Sequence, residues 1–469
     1  MGEVTEKLAG FIAKAEYRDL PEDIIHETKR VLLDSIGCAI GGLDTDMGRV
    51  SRSLARKLGG PPISSIIGTA DKVSPANSAF ANGELINALD YDAGSAEHDT
   101  PIVIASSLAP AEGARASGQE LITAIAVGHE VTTRLVLAGK EVLTIIKEGP
   151  DKGKVRFASS GGYGSTTLAA AASAGKVLRL DAEKMANAIG IAGYICSPNV
   201  IRKFLDTSPV RMTKYAIFGW GAQSGVTAAL LAEAGFTGDT DVLDGEDSFW
   251  KYTGHQEWDT GRALAGIGSQ WLHKISYKVY PSSFFMAGAL DCFIRIIEEN
   301  DLKPEEIEGI IARVSPVIRH RMAQENKLKT PIDFSFSPPY CLACAAHRIP
   351  YGRWLDPEVR GDSRLHRFIK RVEFDIGFNE KEFGLARLKN PGAILSSAEV
   401  IARGKAYKQQ TLYNKGSAAA PITDEELSQK FRENVSSVLL EARSERIIKT
   451  VFELEKVKRA AELMEMLVP

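Results

Sequence analysis

A run of small residues, Leu168-Ala-Ala-Ala-Ala-Ser-Ala-Gly175, sets the tightest limit on what this chain can fold into. Over two helical turns it carries almost no bulk, so neighbouring helix axes can approach closely. Such a segment suits a compact helical bundle with little room for aromatic packing, and only 7% of the chain is aromatic. The residues before about 270 continue in this manner. Val4, Leu8, Phe11 and Ile12 share one helical face. Pro21 opens a second helix at its first position, and Glu22 and Asp23 suit its positive end. Apolar residues from Ile24 to Ile40 give that helix a broad face before Gly41-Gly42 stops it. Further helices are expected at Asn77–Leu89, Gly118–Leu137, Ser165–Lys176, Ala182–Ile195 and Gly225–Ala234.

The pattern changes after Trp271. A helix near Met286–Glu299 is followed by segments of period two. Val372, Phe374, Ile376 and Phe378 alternate with Arg371, Glu373 and Asp375, as in a strand buried on one face. Ala398, Val400 and Ala402 alternate with Glu399 and Arg403, and Gly404-Lys405 turns the chain toward Tyr407–Leu412. Ile307–Val314 is a third strand candidate. From Thr423 the pattern is helical again, with Thr423 and Glu426 spaced as a capping box. The chain, 469 residues long, exceeds one ordinary domain. It reads as mainly α: a helical domain built from both chain ends, 1–270 and 416–469, with a smaller α+β domain, 271–415, inserted between them.

Composition narrows the function. Hydrophobic residues make up 44% and charged residues 25%, as in soluble globular proteins. A net charge of −3 offers no basic surplus for a nucleic-acid partner. No uninterrupted apolar run reaches the ~20 residues of a membrane span. Glu3, Glu6 and Lys7 break any signal-peptide pattern. The expectation is a cytoplasmic protein. Five cysteines, mostly in apolar runs, read as buried free thiols, and Cys341-Leu-Ala-Cys344 lies in a small apolar helical run without a second pair for zinc. Gly149 to Val155 and Ser160 to Gly164 lack phosphate-loop spacing and read as turns. The eight histidines lack metal-ligand spacing, so no metal site is expected.

Three segments carry possible chemistry. Asp90-Tyr-Asp92, followed by His98 and Thr100, either lines the mouth of a pocket or is an acidic helix exit with a solvated loop. Lys214, among small and aromatic residues, either holds a carboxylate with a lowered pKa or snorkels at the surface. Lys278-Val-Tyr280-Pro-Ser-Ser283 precedes a helix whose free N–H groups attract anions, or is an ordinary helix entry.

Taken together, these segments resemble the MmgE/PrpD family, which contains 2-methylcitrate dehydratase, iminodisuccinate epimerase and cis-aconitate decarboxylase. The resemblance rests on Leu33-Asp34 through Gly41-Gly42, Asn82-Gly83 through Asp92, Ala188 through Gly193, Thr213-Lys214 through Gly225, Gly235 through Gly238, Lys278-Val-Tyr280-Pro281, and Thr423 through Lys430-Phe431. It spans essentially the whole chain. It implies a helical domain with an α+β lid, a site in the cleft between them, homodimers, no cofactor, and proton removal next to a carboxylate. Asp90, Lys214 and Lys278 match the family's acidic stretch and its two lysine segments. Asp92, Thr100, Tyr280 and Ser283 are the further candidates for binding the substrate. The family's imidazole positions hold Thr100, Ala158, Ile217 and Ser283 here, none of which titrates near neutral pH. Tyr163, Tyr280, His98 or a Lys214 of lowered pKa would therefore have to move the proton. The resemblance implies a lyase acting on a small carboxylic acid. An isomerase or epimerase, and a carboxylate-binding relative without catalysis, are the alternatives.

Overall fold

In the computed structural model, the described residues are 2–95, 98–139, 143–157, 163–197, 207–255, 257–315, 318, 328–375, 380–390 and 392–469. The molecule is mainly α, and its sheets are small. Helices Glu22–Gly41, Pro75–Asn87, Thr100–Gly113, Gly118–Ala138, Tyr163–Val177, Ala182–Ile195 and Phe218–Glu233 pack on one another, joined from the far end of the chain by Asp424–Val435 and Glu441–Phe452. Their ends follow local chemistry. Ser117 and Glu120 close a capping box at the start of Gly118–Ala138, and Thr423 and Glu426 do the same for Asp424–Val435.

Small residues do bring axes together. A Cβ added at Gly225 would stand 2.2 Å from the Cβ of Ala170, inside the alanine run, and one at Gly219 would stand 2.2 Å from the carbonyl oxygen of Phe80. The helix Gly118–Ala138 is long and apolar enough to cross a membrane by length and composition, yet most of it is buried inside the molecule. Its charged residues Glu130 and Arg134 pair 2.8 Å apart in the interior.

Among the described residues, the largest sheet has four strands, ordered Val372–Asp375, Ile307–Arg313, Ser396–Ala402, Lys405–Thr411. The first two are parallel; the other pairings are antiparallel. Arg403 and Gly404, at φ 53° and 68°, form the two-residue turn of the hairpin, a conformation whose twist matches the flanking strands. Ser396–Ala402 alternates buried and half-buried residues, and the helix Ala287–Glu299 packs against it. The expected strand at 371–378 is observed over Val372–Asp375; residues 376–379 lie outside the described ones. Of the segment 149–155, read as a turn, residues 149–154 connect strands Leu143–Ile145 and Val155–Phe157, while Val155 already belongs to the second strand.

Buried apolar residues form two main clusters. The larger draws on Val4 to Tyr277 and again on Ile422 to Leu467, and the smaller on Tyr280 to Ala402 together with Val210. All five cysteines are buried and free. Cys341 and Cys344 sit in the helix Pro338–Ala346. Among the described residues, no group of three or more His, Cys, Asp and Glu side chains is placed to hold a metal ion.

Candidate active site

The helix Pro75–Asn87 ends just before Asp90, which takes the left-handed backbone conformation at φ 53°. Lys214 does the same at φ 40°. Non-glycine residues in this region store about 1–2 kcal/mol each, so such positions persist where surrounding contacts hold them. Here the contacts are mutual. Lys278 Nζ lies 3.1 Å from Asp90 Oδ2 and also donates to the Asp90 carbonyl at 2.8 Å. Lys214 Nζ lies 3.7 Å from Asp90 Oδ1 and donates to the Asn87 carbonyl at 2.8 Å. The hydroxyl of Tyr215 donates to Asp90 Oδ1, the same oxygen that faces Lys214. Asp90 thus stands between two ammonium groups contributed by chain segments 124 and 188 residues away in sequence.

Two residues further on, Asp92 accepts a bond from Asn87 Nδ2 at 2.9 Å and faces His98 Nδ1 at 3.5 Å. The His98 ring stacks on Tyr215 with centroids 4.9 Å apart. Its side chain is 29% exposed, whereas those of Asp90, Asp92, Lys214 and Lys278 are all at 5% or less. The imidazole is the most accessible of these five side chains.

Burial sets the electrostatics, and the charges then correct it. Burial pushes Asp90 up, but Lys278 and Lys214 outweigh it, and its carboxyl lies below the usual range. Burial likewise opposes ionisation of Asp92, yet His98, Lys278 and Lys214 hold its pKa at about 2. Lys214 moves the other way: burial depresses it below an ordinary lysine, with Asp90 and Asp92 opposing. The result is two anions, two buried lysines and one imidazole gathered in a single polar cluster.

The acidic loop that carries these groups is anchored at its far end. Asp99 accepts from Ser95 N–H at 2.9 Å and Ser95 Oγ at 2.6 Å, and pairs with buried His129 at 2.7 Å. Thr100 begins the helix Thr100–Gly113, fully buried, and its hydroxyl has no hydrogen-bond partner among the described residues.

The sequence candidates therefore divide. Asp90, Asp92, His98, Lys214 and Lys278 come together. Tyr280 is placed elsewhere: its hydroxyl donates to Asp291 at 2.8 Å, its ring stacks on Trp354, and it lines a separate cleft of about 930 Å³ with Tyr351 and Glu298. Burial and Asp291 raise its pKa well above a free tyrosine. Ser283 is buried ahead of the short turn Phe284–Met286 and makes no capping bond there. Tyr163 opens the helix Tyr163–Val177, and its side chain lies outside the described part of the structure, as do Ala158 and Ser159. Ile217 is half exposed just before the helix Phe218–Glu233. Sequence reasoning missed Tyr215 and Asn87, although each stands close to a residue it singled out. It also gave no role to Asp34 and Lys430, although both stand in segments that carry the family resemblance; Asp34 is a charge in an apolar stretch, whereas Lys430 lies in a charged one.

Comparison with known proteins places the chain in a family. The profile of the MmgE/PrpD N-terminal domain matches residues 6–260, and that of the MmgE/PrpD C-terminal domain matches 280–455. The chain is 26% identical to a cis-aconitate decarboxylase of Homo sapiens over 493 aligned positions, covering 99% of this chain and 94% of that protein. It is 24% identical to a cis-aconitate decarboxylase of Aspergillus terreus, covering 99% and 96%, and 23% identical to the cis-aconitate decarboxylase-like protein oryM of Aspergillus oryzae, covering 99% and 97%.

Proposed function

This chain belongs to the MmgE/PrpD family, and from that premise we propose that it is a lyase that removes carbon dioxide or water from a small carboxylic acid by moving a proton on the carbon next to a carboxylate. The observation that carries the reading is the exposed His98 imidazole set against the buried Asp92 carboxylate, with the Lys214 and Lys278 ammoniums alongside. His98 serves as the proton carrier. Asp92 faces its Nδ1 and orients the ring, and Tyr215 supports the ring's face. Loss of carbon dioxide or of the α-proton leaves an electron pair on carbon that spreads onto the neighbouring carboxyl group. Two buried ammoniums stabilise that enolate-like charge without reorganising, which is the largest single effect available to such a site. The scheme needs no cofactor. It also replaces the family's imidazole positions by one histidine two residues before Thr100.

The decarboxylase relatives favour a lyase over an epimerase. Residues 271–415 act as a lid over the helical segments in this reading, excluding water when closed. The protein works as a homodimer, which light scattering would register as twice the chain mass.

The test is proton NMR in D2O with a panel of di- and tricarboxylic acids, cis-aconitate among them, beside His98→Gln and Lys214→Ala. New vinylic signals or loss of a carboxyl group with wild type only, reduced at least 100-fold in His98→Gln, supports the proposal. Exchange of an α-proton without a new compound assigns an epimerase instead. Full activity in His98→Gln removes this histidine from the mechanism.

A further inference from the structure

Behind the candidate site lies a second ion pair, from residues far apart in the chain. Asp34 is in the middle of the helix Glu22–Gly41, and Lys430 is on Asp424–Val435; their charged atoms are 2.6 Å apart, with side chains 0% and 6% exposed. Buried pairs of this kind contribute little net stability, because desolvation offsets their attraction. Their other bonds are more informative. Lys430 Nζ donates to the carbonyls of Tyr91 and Lys278, each at 2.8 Å. Asp34 Oδ2 accepts from the Ala93 N–H at 3.0 Å. Tyr91 lies beneath the Lys430 ammonium, 3.9 Å from ring centre to Nζ, and its hydroxyl donates to the Val279 carbonyl at 2.8 Å.

These bonds fall on the backbone at 91, 93, 278 and 279. The intervening and adjoining side chains, Asp90, Asp92 and Lys278, are the ones that assemble the site. We propose that Asp34 and Lys430, with Tyr91, form a positioning clamp that holds the 90–93 and 278–279 segments in register and so fixes Asp90, Asp92 and Lys278 relative to His98. Lys430 and Asp34 touch no reacting group. They act through the backbone that carries the reacting groups, and misplacement by about 1 Å is enough to slow such chemistry by about 100-fold. The inference rests on the proposed proton chemistry for its kinetic consequence, while its structural content stands apart from it.

The experiment compares wild type with Asp34→Asn/Lys430→Met, which removes both charges together and leaves no buried ion unpaired. Melting temperature, kcat, KM and amide hydrogen exchange are measured on each. The clamp predicts a folded variant whose kcat falls ten- to a hundredfold with KM changed less than about threefold. It also predicts at least tenfold faster exchange in peptides spanning 88–95 and 276–280. A folded variant with wild-type kcat overturns the proposal. Should the double variant fail to fold, Tyr91→Phe removes only the bond to Val279: a lowered kcat with an unchanged melting temperature supports the clamp, and an unchanged kcat overturns it. Should wild type turn over none of the acids, the reaction reading falls by itself. Exchange then decides the clamp, with unchanged protection at 88–95 and 276–280 overturning it.

Discussion

Replacing Asp90 by asparagine keeps the shape of the side chain and removes the anion between two buried ammoniums. At an effective dielectric constant of about 20, its attractions across 3.1 and 3.7 Å are roughly 5 and 4 kcal/mol. Desolvation of the three charges cancels much of this in the native protein. In Asp90→Asn, however, Lys214 and Lys278 remain buried and lose the anion between them, with Asp92 the remaining carboxylate of the cluster, a situation that costs about 3–5 kcal/mol. Their surviving bonds to the carbonyls of Asn87 and Asp90 set the lower end of that range. At about 2.1 cal/mol/K per residue, a chain of 469 residues unfolds with roughly 1 kcal/mol/K of entropy, so the melting temperature should fall by about 3–5 °C. Asp46→Asn, which disrupts an exposed pair with Arg49, is the control and should shift it by less than 1 °C. The variant has a second consequence with a definite sign. Asp90 raises the pKa of Lys214 against burial. Without it, Lys214 loses its proton at lower pH, and the alkaline limb of the kcat profile moves downward in pH. A melting temperature within 1 °C of wild type, together with an unmoved alkaline limb, would refute the view that Asp90 is the counter-ion of this site.

Other outcomes follow from the same contacts. The Asp92 pKa, about 2 against 3.8 for the unfolded chain, corresponds to about 2 kcal/mol of stability that is fully present above pH ~4 and lost as pH falls through about 2. The stability gap between wild type and Asp92→Asn in urea should therefore be narrower at pH 3 than at pH 7, and a gap that widens in acid contradicts the assignment. His129→Leu leaves the buried Asp99 carboxylate with Ser95 as its remaining partner shown here and should cost about 3–5 kcal/mol, read from the urea midpoint; His129→Gln, which can still donate, should recover part of it. All five thiols are buried, and burial pushes Cys196, Cys292 and Cys344 up to about 12. A thiol-specific disulfide reagent should find none reactive in the native protein and five after denaturation; fast native labelling of Cys341 or Cys344 would count against the structural reading of that pair.

Local pattern was enough for much of the architecture. The helix Ala182–Ile195 has the bounds its spacing predicts and the capping box at Thr423 forms as written; the hairpin expected to turn at Gly404-Lys405 turns one residue earlier, at Arg403-Gly404, because Lys405 already pairs with Ala402. In each, the determining contacts lie within a few residues. Among the helices that escaped that reading, two did so for clear physical reasons. Thr100–Gly113 is buried on nearly every side, so its small and apolar residues are spread around the helix and show no period of 3.6. Asp46–Leu58 inverts the usual pattern: Met47, Gly48, Ser51 and Ala55 face inward, while Val50, Leu54 and Leu58 are exposed.

For the site, the sequence determined which ionisable residues the chain has to work with, and the local spacing that puts Asp90 and Asp92 after a helix end. It could not determine their partners. Lys214, Lys278 and Lys430 reach that segment across 124 to 339 residues, and such encounters depend on how helices with small faces pack, not on any neighbouring residue. Packing also decided the fate of Tyr280 and Tyr215. The first is turned to Asp291 and Trp354 in the smaller cluster, while the second is brought against Asp90 and His98. A tyrosine hydroxyl needs a partner once buried, and only the assembled fold decides which one it meets.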